Sequence, residues 1–209
     1  MTRIKICGLS RTEDIAAVNR WLPDYIGFVF ASESRRRVTP EQARILKEGL
    51  DSRIKAFGVF TNAPLQAIVE LCEAGIIDIV QLHGDETEEF ICVLKQKTSC
   101  PIIKAIQVQS SEQILHAKRL SCDLLLLDTF EKGKFGGSGK TFDHSLIPVM
   151  QKPFFLAGGL HNGNIAQVIS RCHPFAVDVS SGVETDGAKD ESKIRQIIET
   201  VRYTPERLN

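Results

Sequence analysis

The chain alternates between short, almost continuously apolar runs and longer stretches in which apolar residues recur every three or four positions. The runs are Ile4 to Cys7, Tyr25 to Phe30, Ala56 to Phe60, Ile77 to Leu82, Ile102 to Ile106, Leu124 to Leu127, Phe154 to Ala157 and Phe175 to Val179. Apolarity on both faces predicts parallel strands covered on both sides, since a strand with one wet face would alternate. Their centres lie roughly 20–30 residues apart, the length of one strand–helix unit. Each interval predicts a helix. Ser10-Arg11-Thr12-Glu13, Thr39-Pro40-Glu41-Gln42 and Ser110-Ser111-Glu112-Gln113 read as start signals. In each, a hydroxyl accepts from the N–H three residues on, while an acidic or amide side chain reaches back. Pro40 suits the first helical position, where an N–H would be unpaired anyway. Leu65, Ile68, Val69 and Cys72 form one apolar stripe, and Ile194, Ile197, Ile198 and Val201 another, as packing onto a sheet requires.

Eight such alternations with no Pro/Gly/Ser-rich linker predict an α/β protein built as one closed (β/α)8 TIM barrel. Residues 1–209 would be a single catalytic domain, with 203–209 a frayed tail. An open doubly wound sheet has fewer strands and often opens with GxGxxG; Gly8-Leu9-Ser10-Arg11-Thr12-Glu13 does not supply it. The 209 residues are 43% apolar and 25% charged, ordinary for a globular chain with a large core. Lys+Arg 26 balances Asp+Glu 26, so the overall charge calls for neither nucleic acid nor an acidic membrane surface. No run approaches the roughly 18 residues of a membrane span, and the N-terminus lacks a signal-peptide apolar region. Cys7, Cys72, Cys92, Cys100, Cys122 and Cys172 are scattered without a CxxC pair, which argues against a metal site or a disulfide framework. A cytoplasmic protein of a reducing compartment is expected.

In a barrel, chemistry gathers where the loops after the strands converge. Cys7 stands at the end of the first strand. A lone cysteine there reads as a small buried hydrophobe. Alternation, however, puts Lys5 and Cys7 on one face and Ile4 and Ile6 on the other, so a cation beside the thiol would lower its pKa and make a base. Asp128 follows four leucines. It reads either as a turn carboxylate or as a partly desolvated general acid. One of Arg35, Arg36 and Arg37 could bind a carboxylate in bidentate fashion, with at least one of the others merely solvated. His83 reads equally as a satisfied structural histidine and as a site residue; Lys5 and Asp178 are further lining candidates. Gly158 and Gly159 after the seventh strand, with Ser180, Ser181 and Gly182 after the eighth, match a phosphate cradle. Gly136-Gly137-Ser138-Gly139-Lys140-Thr141 is not a Walker A loop, because Lys134 stands where the first glycine must be. A loop that closes over substrate is the better reading.

Six segments then resemble one family in register: Lys5-Ile6-Cys7-Gly8, Gln81-Leu82-His83-Gly84, Leu126-Leu127-Asp128-Thr129, Gly136 to Asp143, Ala157-Gly158-Gly159-Leu160 and Asp178 to Glu184. That family is phosphoribosylanthranilate isomerase, and the resemblance covers nearly the whole chain. His144 departs from it, standing where the family usually has tryptophan. The resemblance implies an enzyme of tryptophan biosynthesis. It would convert N-(5-phosphoribosyl)anthranilate to 1-(o-carboxyphenylamino)-1-deoxyribulose 5-phosphate without a cofactor. By matched position, Asp128 would be the general acid, Cys7 the general base and Arg36 the partner of the anthranilate carboxylate. The expected partner is this small phosphosugar, and the chain a monomer or homodimer. Rival readings are another phosphosugar isomerase or epimerase and a non-catalytic phosphate-binding protein on the same fold. The histidine-pathway isomerase has aspartate where Cys7 stands.

Overall fold

The structure is a computed structural model that describes residues 1–130 and 141–204. Its strands are β1 (Arg3–Cys7), β2 (Tyr25–Val29), β3 (Lys55–Phe60), β4 (Ile79–Leu82), β5 (Ile102–Val108), β6 (Leu124–Thr129), β7 (Phe154–Leu156) and β8 (Ala176–Val179). They pair in sequence order, all parallel, and β8 returns to β1 to close the barrel. Register sets Lys5 opposite Tyr25 on one side and Asp178 on the other.

The helices are α1 (Thr12–Trp21), α2 (Pro40–Glu48), α3 (Leu65–Glu73), α4 (Glu88–Lys97), α5 (Ser111–Ala117), α6 (Ile165–Cys172) and α7 (Glu191–Tyr203). The expectation of eight helical intervals is corrected in the sixth. Between β6 and β7 the described residues form only a 3-10 turn, His144–Leu146, and Pro148, lacking an N–H, cannot extend it. The Thr39 box forms as expected, with Gln42 N–H donating to Oγ1 at 3.2 Å and Gln42 Oε1 accepting from Thr39 N–H at 2.9 Å. Ser110 Oγ likewise accepts from Gln113 N–H, at 3.4 Å. The Ser10 box does not form. Asp14, not Glu13, reaches back, its Oδ2 accepting from the Ser10 and Arg11 N–H groups at 3.0 and 3.1 Å. Glu13 faces solvent while Asp14 is buried, so only the latter carboxylate sits over the open helix start. Tyr203 ends α7 rather than beginning a tail; residues 205–209 lie outside the described residues, as do Gly136, Gly137, Ser138 and Gly139 of the proposed loop.

Two apolar layers hold this together. The outer one lies between sheet and helices and includes Ile4, Ile6, Val18, Leu46, Ile68, Leu94 and the α7 stripe. Burying each of Ile194, Ile197 and Ile198 contributes about 1.5–3 kcal/mol. The inner layer, with Phe57, Ile103, Ala105, Leu126 and Phe155 at its centre, plugs the barrel, and Tyr25, Ile79 and Leu124 pack against it at the strand starts. The Phe57 and Phe155 rings meet edge-on at 5.5 Å. Lys5 Nζ sits 5.0 Å above the Phe57 ring. At that level the barrel interior turns from apolar to polar.

A short hairpin follows β8: β9 (Glu184–Thr185) and β10 (Ala188–Lys189) pair antiparallel. Asp186 and Gly187 between them both have positive φ, 51° and 82°, the geometry of a tight two-residue hairpin turn. The described helices include none long and apolar enough to cross a membrane.

Candidate active site

The alternation read from β1 holds. Ile4 and Ile6 enter the outer core, while Lys5 and Cys7 point into the barrel. Cys7 is paired in register with Gly27. A Cβ at Gly27 would lie 2.8 Å from Cys7 Sγ, so only glycine on β2 leaves the thiol its place. Cys7 packs with Val29 and Val59, and its carbonyl accepts from Ser180 Oγ at 3.0 Å. The expected lowering of its pKa is corrected. Burial pushes the thiol up, Lys5 and Lys189 oppose this, and Asp178 adds to it; the balance is a raised pKa.

Lys5 is fully buried and donates to Asp178 Oδ2 and to Gln81 Oε1, both at 2.8 Å. Burial works to neutralise the ammonium, but Asp178 and Cys7 outweigh it and raise its pKa. The other Asp178 oxygen, Oδ1, is buried with no hydrogen bond among the described residues. Gln81 Nε2 lies 2.8 Å from His83 Nδ1. His83 Nε2 in turn lies 3.3 Å from Asp128 Oδ2, without the angles of a hydrogen bond. Asp128 belongs to β6, is 4% exposed, and accepts from Thr129 N–H through Oδ1 at 2.7 Å. Cys7, Asp128, Lys5, His83 and Asp178 thus share one barrel mouth, and Gln81 joins them.

The three arginines separate. Arg37 is exposed. Arg36 gives Nε to Glu184 Oε1 at 2.6 Å and Nη2 to Oε2 at 3.0 Å, and Arg35 Nη2 reaches the same Oε2 at 2.6 Å. Lys189 Nζ completes the cluster at 2.9 Å from Glu184 Oε1 and also donates to Ser180 O at 2.9 Å. Burial alone would raise the Glu184 pKa, yet Arg36 and Lys189 hold it down at about 2. Burial pulls the Lys189 pKa down, with Glu184 opposing.

Gly158 and Gly159 follow β7 with φ of 87° and 61°, a left-handed pair that side-chained residues rarely adopt. Gly182 lies against the backbone just after them, since a Cβ there would meet Leu160 O at 2.0 Å. Ser181 starts the 3-10 turn Ser181–Val183. The two loops therefore meet above β7 and β8. The Ser180 hydroxyl donates to Cys7 O, tying the loop after β8 to β1.

Sequence reading assigned no role to Gln81, Glu184 or Lys189. Gln81 is a polar residue inside an apolar strand run, the same signal that singled out Lys5. Lys189 follows Asp186-Gly187, a hairpin signal. A second such residue is Lys104 of β5, which points outward and donates to Gly84 O at 2.6 Å and Glu86 Oε2 at 2.9 Å. Glu86 also accepts from Asn62 N–H and Gly84 N–H, tying together the loops after β3 and β4. Among the described residues no three metal-ligating side chains converge.

Residues 4–200 match the family model described as N-(5'phosphoribosyl)anthranilate (PRA) isomerase. The N-(5'-phosphoribosyl)anthranilate isomerase of Lachnoclostridium phytofermentans is 43% identical over 94% of this chain and 95% of its own. The crystal structure of phosphoribosyl anthranilate isomerase from Thermotoga maritima superposes with a TM-score of 0.86 at 34% identity, covering 97% of this chain and 99% of that one. A phosphoribosyl anthranilate isomerase in complex with reduced 1-(o-carboxyphenylamino)-1-deoxyribulose 5-phosphate gives 0.81 at 31%, with 97% and 99% covered.

Proposed function

The chain belongs to the N-(5'-phosphoribosyl)anthranilate isomerase family and is an isomerase of tryptophan biosynthesis, and from that premise we propose that Asp128 and Cys7 are the acid and base of its Amadori rearrangement. The observation that carries this reading is the placement of both groups at one barrel mouth, each buried, on strands β6 and β1. Asp128 gives a proton to the ribose ring oxygen. The C1–O bond breaks as the anthranilate nitrogen lone pair forms a C=N bond, and the ring opens to a protonated imine. That imine withdraws electrons from C2, and the Cys7 thiolate takes the C2 proton. The C2–H electron pair becomes C1=C2, and the former C=N pair returns to nitrogen as an enolamine. Protonation at C1 and loss of the C2 hydroxyl proton give the ketone, after which solvent restores both side chains. Each such group contributes about 10²–10⁴ in rate.

Substrate is held at its two anionic ends. The backbone turns at Gly158, Gly159 and Ser180 to Gly182 take the phosphate, with the Ser180 hydroxyl holding its loop to β1. Nε and Nη2 of Arg36 are engaged by Glu184, so the anthranilate carboxylate meets the remaining Nη1/Nη2 edge of the guanidinium. Gripping both ends fixes the ribose between acid and base. The working unit is a monomer or a homodimer. Residues 1–209 act as one cytoplasmic catalytic domain.

The test is the loss of substrate fluorescence with no added metal or nucleotide. Wild-type protein should consume the substrate, while Cys7→Ala and Asp128→Asn should each lose about 10²–10⁴ in kcat with unchanged circular dichroism. Near-normal turnover in either variant rejects that residue's role, and turnover of a different phosphosugar alone rejects the substrate.

A further inference from the structure

Beneath the reacting groups, polar atoms run in line across the barrel from β8 through β1 and β4 to β6: Asp178, Lys5, Gln81, His83 and Asp128. The direction of this line is fixed at one end. An ammonium has donors and no acceptor, so the Gln81 atom 2.8 Å from Lys5 Nζ must be the carbonyl oxygen Oε1. The amide is then turned, and its NH2 end faces His83 Nδ1 at 2.8 Å. Nδ1 must accept, and the single proton of the neutral ring sits on Nε2, the nitrogen 3.3 Å from Asp128 Oδ2. The opposite tautomer would set two donors against each other at Gln81. Gln81 is 1% exposed, so no water is at hand to relieve that clash.

We infer that Gln81 is a positioning residue: oriented by Lys5, it keeps the His83 proton on Nε2, the ring nitrogen nearest the Asp128 carboxyl. Two consequences follow for the acid. A protonated Nε2 cannot take the Asp128 proton, which stays available for the ribose oxygen. Once that proton has left, the carboxylate finds Nε2–H beside Oδ2 and already holds Thr129 N–H on Oδ1. The long 3.3 Å separation is one that tightens as charge develops. The catalytic consequence rests on Asp128 being the general acid; the tautomer does not.

The experiment is nitrogen-15 NMR of histidine-labelled full-length protein, with the His83 ring assigned by its loss in His83→Gln. The expected wild-type spectrum shows a protonated Nε2 and a bare Nδ1. Gln81→Glu keeps the shape and the Lys5 contact but presents an acceptor to the ring, so Nδ1 should gain a proton. In the same variant kcat should fall about tenfold, the worth of one hydrogen bond, with KM nearly unchanged. A wild-type ring protonated on Nδ1 alone overturns the inference, as does Gln81→Glu with an unaltered ring or unaltered kcat. If Gln81→Glu does not fold, the wild-type spectrum still decides the tautomer, and Lys5→Met, which frees the amide to turn, should yield mixed tautomers. Should Asp128→Asn retain turnover, the acid assignment falls while the spectra still report on Gln81.

Discussion

Glu184 holds Arg36 side-on, with Oε1 on Nε at 2.6 Å and Oε2 on Nη2 at 3.0 Å, and the same carboxylate anchors Arg35 and Lys189. Glu184→Gln should therefore loosen the guanidinium that meets the substrate carboxylate and raise KM about tenfold, the cost of one charged hydrogen bond. The stability effect has a defined sign. The Glu184 pKa is about 2 in the folded chain and about 4.3 when unfolded. The carboxylate thus contributes stability that is fully present above pH of about 4.3 and is lost as pH falls through about 2. Urea unfolding should show Glu184→Gln weaker by up to about 3 kcal/mol at neutral pH, with the gap closing near pH of about 2. A deficit that stays constant with pH would mean that the ion cluster is not its source.

The barrel was legible because each strand run is apolar on both faces, and Lys5 because alternation sets it on the same face as Cys7 at the strand end; Lys104 shows that a lysine in such a run can equally be satisfied on the helix side. The register partners of Lys5, and the relay through Gln81 to His83, were not legible: they join β8, β1, β4 and β6, and nothing local in the sequence says which strand ends face one another. The Cys7 pKa was misjudged for a related reason. Spacing shows a neighbouring cation, but only the packed structure shows that burial and Asp178 outweigh it. Ser10 misled because a capping box depends on which carboxylate lies over the helix start, and burial chose Asp14.

Arg36→Lys tests the fork itself. An ammonium on a shorter stem can pair with Glu184 or with substrate but cannot present two parallel N–H bonds to each. Steady-state kinetics should show KM raised about tenfold with kcat changed less than about twofold, a loss of uniform binding. An unchanged KM would transfer the carboxylate contact to Arg35 or Arg37.

With the Cys7 pKa pushed up by burial against Lys5 and Lys189, the thiol is the resting form and the thiolate a minor, strongly basic one. A raised pKa means that the reactive fraction grows with pH until that pKa is passed. Because Asp128 must still carry its proton, that gain is opposed at the acid, and the diagnostic is the comparison between variants. Lys189→Met removes one of the two cations that oppose the rise, so the thiolate fraction, and with it kcat/KM near neutrality, should fall. Unaltered kcat/KM near neutrality in Lys189→Met would contradict a base at Cys7 tuned by that lysine.

Lys104 and Glu86 form an ion pair with side chains only 7% and 2% exposed, on the helix side of β5. A buried pair adds little over a well-packed apolar pair, but breaking it strands a charge away from water. Glu86→Ala leaves Lys104 Nζ with only the Gly84 carbonyl and strips an acceptor from the Asn62 and Gly84 N–H groups. The expected loss is about 3–5 kcal/mol by urea unfolding. Adding Lys104→Met to Glu86→Ala removes the stranded ammonium and should recover part of that loss, since the residual deficit is then the two unpaired N–H groups alone. If Glu86→Ala proves as stable as wild type, the loops after β3 and β4 are held by something other than this pair; if the double variant is weaker still, Lys104 stabilises the chain without its carboxylate.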